Sequence, residues 1–138
     1  MAKMYLIGSL RNPEVPEVGN LLREAGHEVF DDWHAAGPIA DDEWQRYETQ
    51  RGHSYAEALK GYAANHVFDF DLRHLNRCDT GVLMMPAGRS GHLELGYLIG
   101  QGKPGYILFD KIPERYDVMY RFCHGVYSSV SDLIEGIR

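Results

Sequence analysis

Short apolar runs alternate along this chain with longer stretches in which apolar residues recur every three or four positions, a pattern that predicts strands alternating with helices. Residues 4–7 (MYLI) read as a buried strand ending at Gly8 and Ser9. Val15, Val18, Leu21, Leu22 and Ala25 then keep helical spacing over 15–25, and Gly26 stops that helix. Residues 27–30 form a second short strand, followed by a polar loop over 31–42 with a turn at Gly37-Pro38. Residues 55–78 read as mostly helical through Ala56, Leu59, Ala63, Val67, Phe70, Leu72 and Leu75, with a kink or split expected near 65–69. Runs at 80–85, 106–109 and 126–128 add three strands, the first two joined by a helix that carries Glu94, and a final helix covers 130–137. Strands alternating with helices imply an α/β fold with a parallel sheet of about five strands and right-handed crossovers. Ligands of such sheets bind beyond the carboxyl ends of the strands, here Gly8-Ser9, Asp31-Asp32, residues 86–90 and Asp110.

Composition narrows the partners. With 138 residues the chain suits one domain spanning 1–138, and neither an interdomain linker nor an internal repeat is visible. A formal net charge of −6 without clustered Lys and Arg argues against a nucleic-acid groove. Cys78 and Cys123 are the only cysteines and form no CxxC, so reduced thiols in a cytoplasmic protein are expected. The first residues resemble no signal peptide, and no apolar run is long enough to span a membrane. The histidines lack metal-ligand spacing, which leaves a metal site little support, and neither GxGxxG nor GxxxxGK[ST] occurs, which weakens a dinucleotide or triphosphate reading.

The chemistry concentrates around Glu94, in GRSGHLELGY after the third strand. The expected position is the first turn of a helix, where unpaired N–H groups and the macrodipole keep a carboxylate charged and attract anionic ligands. Ser90 is the expected N-cap, Gly88 and Gly91 admit a ligand close to the backbone, and Gly96 and Gly100 are placed to press the helix onto the sheet. A dipole-complementing Glu on a solvated face is the plain alternative. Asp71 can reach the same cleft, and two carboxyls near one scissile bond divide the work between nucleophile and acid. Asp69 competes for the second role. Tyr5 lies on the first strand, either as core or as a hydrogen-bond partner of a nucleophilic carboxylate or of a ribose hydroxyl. Arg89, Ser90 and His92 surround the helix start and suit a phosphate, or else form a solvated loop. Trp33 and Trp44 flank the long polar loop, as base-stacking platforms or as loop anchors.

Three segments, YLIGSL (5–10), DLRHLNRCD (71–79) and GRSGHLELGYLIGQGKP (88–104), resemble in order and spacing the nucleoside 2-deoxyribosyltransferase superfamily. The most specific part is Glu-x-Gly-x-x-x-x-x-Gly-Lys-Pro from Glu94 to Pro104, and the likeness extends into the chain's last segment. The resemblance implies a Rossmann-like, flavodoxin-like three-layer sandwich. It implies Glu94 as nucleophile on the anomeric carbon, Asp71 as the acid/base assisting the nucleobase, and Tyr5 as the group orienting Glu94. Gly8, Ser9, Gly88, Arg89, Ser90 and His92 are then candidates for substrate binding. It implies a nucleoside or nucleotide substrate, no metal or organic cofactor, and a homo-oligomer, dimer or larger, whose neighbouring subunit completes the site. Deoxyribosyltransferases proper carry an Asp six residues before the nucleophile, whereas this chain has Gly88 followed by Arg89-Ser90, closer to the branch that hydrolyses nucleoside 5′-monophosphates. A non-catalytic nucleotide-binding module and an NAD-cleaving N-glycosidase are the competing readings.

Overall fold

A computed structural model describes residues 1–137. Five parallel strands form one sheet: β1 (Lys3–Ile7), β2 (Glu28–Phe30), β3 (Thr80–Met84), β4 (Gly105–Leu108) and β5 (Gly125–Tyr127), in the order β2-β1-β3-β4-β5. Every pairing is parallel, with Tyr5 opposite Phe30 on one side and Gly81 on the other. This is the flavodoxin-like order, and the chain direction across the sheet switches between β1 and β3.

Side-chain alternation divides the core in two. Met4 and Leu6 face a layer formed by α1 (Val15–Glu24) and α6 (Val130–Ile137), packing with Val15, Leu22 and Leu133. Tyr5 and Ile7 point the opposite way, toward α4 (Tyr62–Arg77) and α5 (Arg89–Gly100), and pack with Leu75, Leu95 and Leu98. The central strand β3 is buried at every position, as a strand covered on both faces must be. Gly26, at φ 98°, takes the left-handed conformation that stops α1.

Three expectations fail. Residues 40–50, part of them assigned to the polar loop, form a helix, α2 (Ala40–Gln50), after a 3₁₀ turn over Asp32–Ala36. Its only fully buried residue is Glu48, so no apolar stripe announced it. The stretch 55–78 divides at Gly61, not at 65–69. A short α3 (Tyr55–Ala58), closed by a capping box between Ser54 and Glu57, precedes α4, whose N-cap is Gly61. Gly96 and Gly100 do not touch the sheet; a Cβ on either would meet no atom within 4 Å. Gly91, Leu95 and Leu98 are the α5 residues turned inward, and closeness comes instead from Gly81 on β3, where a Cβ would stand 2.6 Å from Leu98 Cδ1.

Candidate active site

The α4–α5 face of the sheet brings Tyr5, Asp71 and Glu94 together. Tyr5 is 1% exposed on β1, and both carboxyls bear on its phenol electrostatically. Glu94 and Asp71 are half-buried on α5 and α4. Burial pushes Glu94 up to about 7; a hydrogen bond from the Tyr5 phenol acts against that shift, and the nearby Asp71 charge adds to it. Burial likewise pushes Asp71 up to about 6. Burial, then the two carboxylates, raises the Tyr5 phenol so far that it stays a hydrogen-bond donor at any physiological pH.

Glu94 therefore behaves differently from the expectation. Because α5 begins at Arg89, Glu94 lies in its second turn, beyond the first turn where the macrodipole acts, and desolvation governs its proton. Two carboxyls raised together titrate as a pair that holds about one proton between the two values; with Glu94 the higher, that proton rests mostly on Glu94, and the form with Glu94 ionised and Asp71 protonated is the minor one of the pair. Asp69, the competing acid, is exposed.

An aromatic cluster that was not foreseen walls this site. Phe30 stacks on the His74 imidazole at 3.9 Å between centroids with the rings 8° apart, and Tyr5 and Phe70 pack against Phe30 at 5.0 and 5.8 Å. The visible signal was Phe70 and His74 four residues apart on one helix face. Burial first, and then Arg77 and Arg73, lower the His74 pKa, so the ring stacks in its neutral form. Trp33 anchors its loop: its indole N–H donates to the Leu6 carbonyl at 2.8 Å. Trp44 packs edge-on against Tyr55.

A cleft of ≈ 590 Å³ opens at the carboxyl ends of β1 and β3, the switch point of the sheet, between the loop from Ser9 to Glu14 and the turn from Pro86 to Gly88. Ser9 and Gly88 line it. Tyr5, Asp71 and Glu94 do not, and Glu94 lies six residues along α5 from Gly88, roughly 9 Å of helix. Gly8 precedes Ser9 in sequence and does not line the cleft; a Cβ there would come into contact with Val15, Met84 and Trp33.

The expected phosphate set is not gathered at the cleft. Arg89 and Ser90 are exposed and do not line it. Ser90 does not cap α5: Gly88 is the N-cap and no side chain closes that end. His92 is engaged internally, with Nδ1 2.8 Å from the Gly88 carbonyl and Nε2 2.9 Å from the Tyr120 hydroxyl. If Nδ1 carries the proton it donates to Gly88, and Tyr120 donates to Nε2. Asp79 is a turn residue, accepting from the Lys3 amide and the Thr80 hydroxyl. Among the described residues no cluster of three His, Cys, Asp or Glu side chains is placed to hold a metal ion, and no helix is long and apolar enough to cross a membrane.

The sequence matches no family model and no curated protein. Among solved structures, a 2-deoxyribosyltransferase from the psychrotolerant bacterium Bacillus psychrosaccharolyticus is similar with a TM-score of 0.65 and 20% identity, over 96% of this chain and 90% of that one. A CMP N-glycosidase of Clostridium botulinum is similar with a TM-score of 0.58 and 14% identity, over 98% of both chains. At these identities the likeness is one of fold.

Proposed function

We propose that this chain is an enzyme that cleaves the N-glycosidic bond of (deoxy)nucleosides or their 5′-monophosphates by double displacement. One observation carries this reading: two carboxyls with raised pKa values, Glu94 at about 7 and Asp71 at about 6, share a half-buried site in which Tyr5 donates to Glu94. A Glu94 carboxylate oxygen attacks C1′ as the C1′–N bond breaks, the electron pair leaves with the base, and Asp71 supplies the proton that neutralises it. The glycosyl ester on Glu94 is then resolved by water, giving the free sugar, or by a second base, giving a new nucleoside. Asp71 accepts the proton released by whichever acceptor attacks. Tyr5 orients the Glu94 carboxylate and, as the ester breaks, donates to the carboxylate that is regenerated.

The fold shared with a deoxyribosyltransferase and a CMP N-glycosidase supports a reaction at an N-glycosidic bond. Resolution by water, without base transfer, is a second form of the same reading, favoured by Gly88 at the position where the transferases proper carry an acidic residue. We further propose that the protein acts on small molecules as a homo-oligomer in the cytoplasm.

The test is to incubate the protein with a panel of nucleosides and 5′-monophosphates, with and without a second free base, and to identify products by mass spectrometry. Base release that disappears in Glu94→Ala is the expected result, and new nucleosides would identify transfer. Nucleotide binding without turnover would leave a non-catalytic module, and NAD consumption alone would point to an NAD glycosidase.

A further inference from the structure

The cleft at the β1–β3 switch point carries a distinctive charge pattern. Glu14 and Asp110 line both this cleft and a smaller adjoining cavity of ≈ 160 Å³, so the two carboxylates stand at the boundary between them. Among the described residues neither is in an ion pair; Asp110 only accepts from the Lys111 amide, and Glu14, at the N-cap of α1, makes no side-chain capping bond. Among the described residues the one cation lining the cleft is Arg11, whose Nη2 is 3.0 Å from Asp42 Oδ2. The α5 N-terminus at Gly88 contributes a fractional positive charge of about one half, which two full carboxylates outweigh.

A 5′-phosphate carries close to two negative charges at neutral pH and would meet like charge here. A 5′-hydroxyl, in contrast, can donate to either carboxylate. Resting on the glycosidase reading, we infer that the cleft admits the 5′ end of an unphosphorylated nucleoside and that Glu14 and Asp110 exclude the 5′-monophosphate. The Arg11 charge that lines the cleft is partly neutralised by its exposed pair with Asp42.

The experiment compares kcat/KM for a deoxynucleoside and its 5′-monophosphate, together with binding of each to Glu94→Ala by calorimetry. It uses the full chain, Glu14→Gln and Asp110→Asn, at about 0.01 M and about 1 M salt, between which the Debye length falls from roughly 30 to 3 Å. The full chain should prefer the nucleoside by about tenfold or more at low salt, and the preference should narrow at high salt, as repulsion between charges requires. Each variant should move the ratio toward the monophosphate by about threefold or more at low salt. A low-salt preference for the monophosphate would overturn this inference and leave the glycosidase reading standing. A nucleoside preference that ignores both salt and the two substitutions would remove Glu14 and Asp110 from the selection. Failure to bind or cleave either compound would overturn both readings together.

Discussion

The Tyr5 phenol on β1 donates to the Glu94 carboxyl on α5, across the boundary between sheet and helix layer, where burial and Asp71 work to keep that carboxyl protonated. This bond is the one local influence that favours the ionised form of Glu94. Removing it with Tyr5→Phe should raise the Glu94 pKa further and move the limb of the pH profile assigned to Glu94 upward by about one unit, since a hydrogen bond to a charged group contributes about 1.5–3 kcal/mol. The turnover number should fall about ten- to a hundredfold with little change in KM. A pH profile that does not move in Tyr5→Phe would reduce Tyr5 to a core residue.

Glu94→Gln should abolish cleavage and also stabilise the fold. The folded pKa of about 7 lies above the ordinary carboxyl value of 4.5, so folding disfavours the charged form. With the folded value raised, the contribution to stability is fully present below pH 4.5 and is lost as pH rises through about 7. At pH 8 the parent protein should therefore be less stable than Glu94→Gln by on the order of 2–3 kcal/mol, a gap that closes below pH 4.5. Denaturant unfolding at the two pH values measures it. Near-normal turnover in Glu94→Gln would remove Glu94 from the chemistry.

The pair predicts a bell-shaped pH dependence of kcat/KM with limbs near 6 and 7. Below the lower limb both carboxyls are protonated and no nucleophile exists; above the upper one both are ionised and no acid remains. Asp71→Asn should erase one limb and lower kcat by about a hundredfold, least for substrates whose base leaves without protonation. An unchanged bell in Asp71→Asn would place the acid elsewhere.

The sheet, most of its helices and the placement of Glu94 and Asp71 on helices were legible in the sequence because each rests on periodicity or position: Val82, Leu83 and Met84 form the apolar run of β3, and Gly26 ends α1. Helix α2 was hidden because a polar residue, Glu48, occupies its buried position, held near Arg51 and His53. The protonation of Glu94 was misread for a related reason. A dipole argument can be made from sequence, whereas desolvation depends on what Tyr5 and α4 bring alongside. Nor could linear spacing reveal that both His92 nitrogens are taken up by Gly88 and Tyr120 while Glu14 and Asp110 face the same cleft.

Self-association is the last prediction, and the exposed apolar surface motivates it. Val118, Met119, Phe122 and Val126 are all at least half exposed, with Ile112 and Tyr116 in the same segment, whereas Ile134 packs against the core. Further exposed apolar residues lie just after α3 and around the first turns of α4: Leu59, Tyr62 at 94% exposure, Val67 and Phe68. An aromatic side chain buries about 150–250 Å². A few such residues approach the roughly 800 Å² per partner of a stable interface, and apolar surface on this scale seldom stays open to water. Sedimentation should give a mass of at least twice 15.7 kDa at assay concentration. Phe122→Glu and Phe68→Glu then separate the surfaces, because only the one that carries the interface should yield monomer when charged. Loss of specific activity on dilution to monomer is expected if the neighbouring subunit completes the site. A fully active 15.7 kDa species would refute the proposed assembly.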